Sequence, residues 1–413
     1  MRQFLIIAIL SVGTIFIALT VTLVFAKAWR EEQQRRAFML RRELEPKVLT
    51  YARGNAPALA AILGGEVSGA RRAVLEQILL EHAQRVRGIE HRKLSRAMDD
   101  LGFVDDLVAQ LGSSRWWLRA EAAEKLGLSG VTRARDHLIP VMQDEVSEVR
   151  LRAAKALGEL GGEASIREIV HALNEPNRWS TIRLADILTG MGRTVVDELI
   201  TAFDSLSLNG KLAALDILGR IRPLHVVPWL GRRMSDPEPD VRARTCHALG
   251  CIGDPHTTSL LIRALEDEAW PVRAMAGKAL GKIASPEAIE PLCRAMHDKQ
   301  WWVRSNSAHA LVSMGTRGAE ALERMLDCDD TYAAHQAVVM LEQMGVVDRR
   351  ARGLIGASGN DRVRAEAFVK RLIALEQTGR LRALAGAAGS GELREVLLEL
   401  LPEIGLQQQE AGI

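Results

Sequence analysis

Residues 267–283 read DEAWPVRAMAGKALGKI, and residues 298–314 read DKQWWVRSNSAHALVSM. Laid over each other at a step of 31 residues, they share an aspartate, a tryptophan, a Val-Arg pair and a run of small residues. The pair of aliphatic residue and base recurs outward from here as Val241-Arg242, Val149-Arg150 and Leu118-Arg119. Eight residues after the base stands the glycine of a Leu-Gly pair: Gly127, Gly158, Gly250 and Gly281, with Val312 in that place in the next copy. Looser copies fill the gap, through Ile182-Arg183 with Thr189-Gly190 and through Lys211 with Leu218-Gly219. Ala334-His335 and Val363-Arg364 continue the register downstream, for about nine helical pairs in all. A fixed period of this length is the mark of a stacked repeat.

Small residues from Arg273 to Leu280 predict a first helix that its neighbour approaches closely, and Gly281 is expected to cap it. A second apolar stretch follows each turn, such as 288–296 or 258–265. One hairpin cannot bury both faces alone, so the hairpins must stack. Asp236, Asp267, Asp298 and Asp329 repeat just before each first helix. There a carboxylate can cap backbone N–H groups or accept from a neighbouring unit's arginine, so the Asp and Arg ladders are expected to be structural.

The pattern D-x-x-W-x-V-R-x-x-A-A-x-A-L-G, nearly whole in these two segments, resembles the HEAT-repeat superfamily, in particular its short-unit type seen in phycobilin lyases. The resemblance covers residues 96–376 and implies an all-α, right-handed α-solenoid whose second helices line the concave side. It is specific for architecture and poor for function. Residues 55–95 and 377–413 do not match the unit and are expected to be capping helices.

From Phe4 to Ala26 the chain carries no charge, enough for a transmembrane helix across about 30 Å of hydrocarbon. The run exceeds a signal peptide's apolar core, so residues 1–28 are expected to be an uncleaved anchor. Lys27, Arg30, Arg35, Arg36, Arg41 and Arg42 follow it against Arg2 alone before it, which places the body on the cytoplasmic side of the inner membrane; the periplasmic side is the alternative. Residues 29–54 read as a charged juxtamembrane helix that Pro46 ends or bends.

The formal net charge of +2 over 413 residues gives no general case for nucleic acid. The four cysteines form no CxxC pair, and Cys246 takes a small-residue core slot. No His-Glu dipeptide occurs, which argues against the iron enzymes of this superfamily that use such pairs as ligands. No nucleophile elbow, P-loop or dinucleotide fingerprint appears, so no catalytic, cofactor or metal residue is assigned and no small-molecule substrate is expected. Trp116, Trp270 and Trp301 sit where the repeat signature carries an aromatic and are expected to pack over unit junctions. Trp117 and Trp302, the second of each doubled pair, are the better partner-binding candidates; Trp179 stands apart. Arg232, Arg263 and Arg294 repeat at 31 on successive second helices and could receive an acidic helix, a phosphate or an anionic polymer, unless nearby Glu266, Asp267, Glu290 and Asp298 neutralise them.

These features together lead to the expectation of a membrane-tethered protein-interaction scaffold or adaptor, an accessory subunit of a bacterial membrane complex, and not an enzyme. The alternatives are a lyase-like or ligand-carrying HEAT protein and a nucleic-acid-binding one.

Overall fold

The structure, a computed structural model, describes residues 2–54, 56–175, 180–356, 359–387 and 391–401, with the side chains of 2–15, 17, 18 and 356 left aside. The described residues are helical and contain no strand. They fall into two compact units, residues 1–191 and 192–413.

The first unit opens with one long helix, Arg2–Arg53, that continues past Pro46. Pro46 therefore does not end it, and the helix is held from outside. Leu44, Val48 and Tyr51 are buried where this helix packs on Gly69–Arg85 and Gly88–Asp100. Arg41 donates to both Glu45 and Glu81, and Arg71 donates to Glu43. Several charges of residues 41–47 therefore fasten the helix to its own protein. The expected span, residues 4–26, lies mostly outside the described side chains. Among the described residues no helix is long and apolar enough to cross a membrane.

After Gly88–Asp100 and Phe103–Gln110 the repeats begin. Trp116–Ser129 and Ser147–Leu160 are the first helices of hairpins completed by Arg135–Val141 and Glu163–His171. The second unit repeats this with Leu208–Ile221, Pro239–Ile252, Trp270–Ile283 and Trp301–Ser313 as first helices. Their partners are Val227–Arg233, Thr258–Ala264, Ile289–Ala295 and Thr316–Met325. Less regular hairpins follow from Thr331–Gln343 onward.

The repeat's glycine does not cap its helix. Gly250 lies inside Pro239–Ile252, and a Cβ there would stand 2.7 Å from the Cα of Ala279 on the next first helix. Gly281 faces the Cα of Ala310 at the same distance, and Gly127 faces that of Ala156 at 2.6 Å. The glycine permits backbone-to-backbone approach, and the cap falls three residues later. There the chain turns left-handed at Gly130, Gly253, Arg222 and Ala284. Arg222 and Ala284 bear that conformation with a Cβ, at a cost of about 1 kcal/mol each. Ala284→Gly is accordingly expected to raise unfolding stability by about 0.5–1 kcal/mol, read as a higher urea midpoint at unchanged slope.

Contact between neighbouring hairpins is thus concentrated in the first helices, while the second helices touch one another little.

Candidate functional site

Three of the repeat arginines, Arg119, Arg242 and Arg273, each join their own turn to the carboxylate of the next unit. Arg242 donates from Nη1 to the carbonyl of Asp236 at 2.9 Å in its own unit. Its Nε and Nη2 donate to the Asp267 carboxylate of the next unit at 2.9 and 2.8 Å. Arg273 repeats this with the Asp267 carbonyl at 2.8 Å and the Asp298 carboxylate at 2.7 and 3.0 Å. Arg119 does the same with Asp144 in the first unit, at 2.7 and 2.9 Å. The carboxylate also organises its own turn. Asp267 accepts the N–H of Ala269 at 2.9 Å, fixing the chain where it enters the next first helix. Burial alone would raise the Asp267 carboxyl, but the Arg242 guanidinium and the Ala269 N–H more than offset it and hold it below the ordinary range. The ladder stops one unit early. Asp329 is exposed, and Asp330 takes over the turn by accepting from Tyr332 and Ala333. Arg304 keeps its bond to the Asp298 carbonyl at 2.9 Å and lies over the Tyr332 ring.

Arg232, Arg263 and Arg294 stand exposed on three successive second helices, and among the described residues no side-chain hydrogen bond or ion pair engages them. Most of the acids expected to neutralise them are committed elsewhere: Asp267 to Arg242, Asp298 to Arg273 and Glu290 to Arg324. The adjacent Arg233 is structural, paired with Asp204 and lying 4.9 Å from both the Phe203 and Trp229 rings.

The tryptophans lie on the first helices instead, so the two sets of candidates do not converge. Trp117 and Trp302 are 51% and 56% exposed. Trp116, Trp270 and Trp301, expected to pack over the unit junctions, are 41–53% exposed, so about half of each ring surface remains open to water. Trp301 and Trp302 meet edge to face at 4.8 Å. Trp179 lies outside the described residues.

No spacing in the chain signals that Trp270 and Trp302 share a pocket. A cavity of about 390 Å³ lies across four successive first helices, lined by Leu212, Ala243, Trp270, Met275, Trp302 and Asn306. In the first unit a second cleft, about 690 Å³, is lined by charged groups including His91, Glu124, Lys155 and Glu159. Burial raises the Glu159 carboxyl there and lowers the His91 imidazole. Burial pushes the Cys246 thiol up to about 12 and that of Cys293 up to about 11, which leaves both poor nucleophiles. Among the described residues no group of three or more His, Cys, Asp or Glu side chains is placed to hold a metal ion.

An all-helical stack whose hairpins are bonded to one another by a repeating Arg–Asp clamp is a solenoid of the HEAT type. The chain belongs to the HEAT-repeat family, whose model matches residues 104–187, 196–273 and 257–342, more than half of its length. Solved structures similar to it include the complex of CpcE and CpcF of phycocyanin lyase from Nostoc sp. PCC7120, at 23% identity and a TM-score of 0.29. That match covers 58% of this chain and 94% of the other. An engineered protein is 17% identical with a TM-score of 0.32, covering 88% of this chain and 99% of its own. The karyopherin Kap121p, bound to the extreme C-terminus of the protein phosphatase Cdc14p, is 12% identical with a TM-score of 0.43. There the match covers 84% of this chain and 48% of the karyopherin, so this chain spans about half its length. No curated protein matches the chain. Family membership rests on the repeat match and not on these structures.

Proposed function

We propose that this chain is a membrane-tethered scaffold or adaptor that binds other proteins, an accessory subunit of a bacterial membrane complex. The observation that carries the proposal is the set of indole rings left in water. Trp116, Trp117, Trp270, Trp301 and Trp302 are each at least 41% exposed, so a large part of each ring is not covered by the repeats. A half-exposed indole holds back roughly 100 Å² of apolar surface, or about 2–3 kcal/mol that a partner would recover. The uncharged run from Phe4 to Ala26 supplies the tether, and the bases after it favour a cytoplasmic body. A tether raises the effective concentration of partners at the membrane without adding any contact. The unneutralised row of Arg232, Arg263 and Arg294 is a second surface, suited to an anionic segment.

Fractionation tests the tether. The full chain is expected in the membrane pellet after alkaline carbonate, and a version starting at residue 29 in the supernatant. Release of the full chain by carbonate refutes it. Crosslinking mass spectrometry on native membranes tests the scaffold: crosslinks from a protein to the neighbourhood of Trp117, Trp302 or Arg263 are expected. A co-purifying pigment or small molecule with no protein partner would favour a ligand carrier instead.

A further inference from the structure

We infer that the cavity between Trp270 and Trp302 is a receptor for one large apolar side chain of a partner peptide whose neighbouring residues are acidic. The inference rests on the scaffold reading and specifies its partner. The cavity lies on first helices, and Met275, Ala243 and the indoles of Trp270 and Trp302 give it an apolar lining. Its volume of about 390 Å³ is near the lower end of ligand pockets and suits one aromatic or long aliphatic side chain better than a cofactor.

Charge on the same face selects the rest of the peptide. Met275, Lys278 and Lys282 follow one another at helical spacing along Trp270–Ile283, and both lysines are exposed. Lys282 donates only to the Cys251 thiol, at 3.1 Å, and no carboxylate pairs with Lys278 among the described residues. The acid that could have answered them, Asp216, is held at 2.9 Å by Arg244. Burial and the nearby Lys282 keep the His247 imidazole below its ordinary range, so at neutral pH it adds no further charge. Two exposed lysines therefore stand on this face against one exposed acid in the cavity's lining, Asp240.

At about 1.5 Å per residue, Lys278 and Lys282 lie roughly 5–10 Å along the helix from Met275. An extended peptide covers that distance in two to three residues, at about 3.4 Å each. The recognised segment thus has an apolar anchor with carboxylates about two to four positions away. A nucleic acid fits less well. Trp302 is braced edge-on by Trp301, and Asp240 would face the phosphates.

Peptide-display selection on the full-length chain in detergent tests this without a known partner. Enrichment of peptides pairing an aromatic or long aliphatic residue with acids two to four positions away is expected. Trp302→Ala should weaken the enriched peptides at least tenfold, and Lys278→Glu with Lys282→Glu should shift the selection toward basic peptides. All three positions are exposed, so unchanged thermal midpoints separate lost binding from lost folding. Enrichment without acids, or enriched peptides that bind both variants as tightly as the parent, overturns the inference. So does tighter binding of oligothymidine than of any peptide. A native partner crosslinked only near Trp117 or the Arg263 row would overturn the inference while leaving the scaffold standing.

Discussion

Arg242→Met is expected to lower the unfolding free energy by about 3 kcal/mol at neutral pH, one of the two largest effects foreseen for a single substitution in this chain. The side chains of Arg242 and Asp267 are only 9% and 15% exposed. Removing one partner leaves the other charge in poor solvent, and breaking fully buried pairs costs about 3–5 kcal/mol. The Asp236 carbonyl also loses its donor. In the parent, the Asp267 carboxyl lies below its unfolded value, so its contribution is fully present above about pH 4 and is lost as pH falls through the depressed folded value. In the variant, burial acts on that carboxyl without the guanidinium and moves it upward. The stability gap between parent and variant should therefore be widest at neutral pH and narrow toward pH 4. Urea titrations at several pH values measure this, and a gap independent of pH would show that the clamp's charge does not contribute. Because repeat arrays open locally, hydrogen exchange should rise first between residues 236 and 283.

Gly250→Val is expected to cost at least as much. Even the Cβ of alanine would stand 2.7 Å from the Ala279 Cα, a backbone atom that can yield only if two helices move apart. Overpacking of this kind costs about 1–3 kcal/mol for an added methyl, and valine adds two more carbons with a restricted rotamer. Gly190 supplies the control. It stands in a looser copy, one residue off the repeat's glycine slot, and nothing lies within 4 Å of its would-be Cβ. Gly190→Ala should be neutral or stabilising by up to about 1 kcal/mol, from helix propensity. Thermal melts of the two variants decide the matter, and equal loss at both sites would refute the close-approach account.

The repeat was legible because its period records contacts between equivalent residues of neighbouring units. Arg242 and Asp267 lie 25 residues apart, and both recur at 31, so the ladder could be read before its geometry was known. Its early end was not legible, since Asp329 keeps the register while the turn uses Asp330. The same small-residue run predicted close helices, yet the glycine's role was misplaced: a Leu-Gly pair near a helix end looks like a cap unless the partner helix is in view. The exposed indoles were hidden for a related reason. A signature aromatic implies packing, and only the surface of the folded chain shows that about half of each ring stays open to water. The Trp270–Trp302 cavity draws on residues from four helices, and no one-dimensional spacing aligns them.

The end of the ladder also has a mechanical meaning. Between Trp301–Ser313 and Thr331–Gln343 the Arg–Asp clamp is missing, and Val312 stands where other units place the glycine of close approach. Two independent fastenings are thus absent at one joint. If the second unit is pulled from its ends, tension is carried in series through every joint, and the clamped joints between residues 239 and 313 are expected to outlast those that follow. Yielding would then begin past residue 314, where His335 and Gln343 also replace the arginine and the glycine of the repeat, while the clamped helices stay stacked.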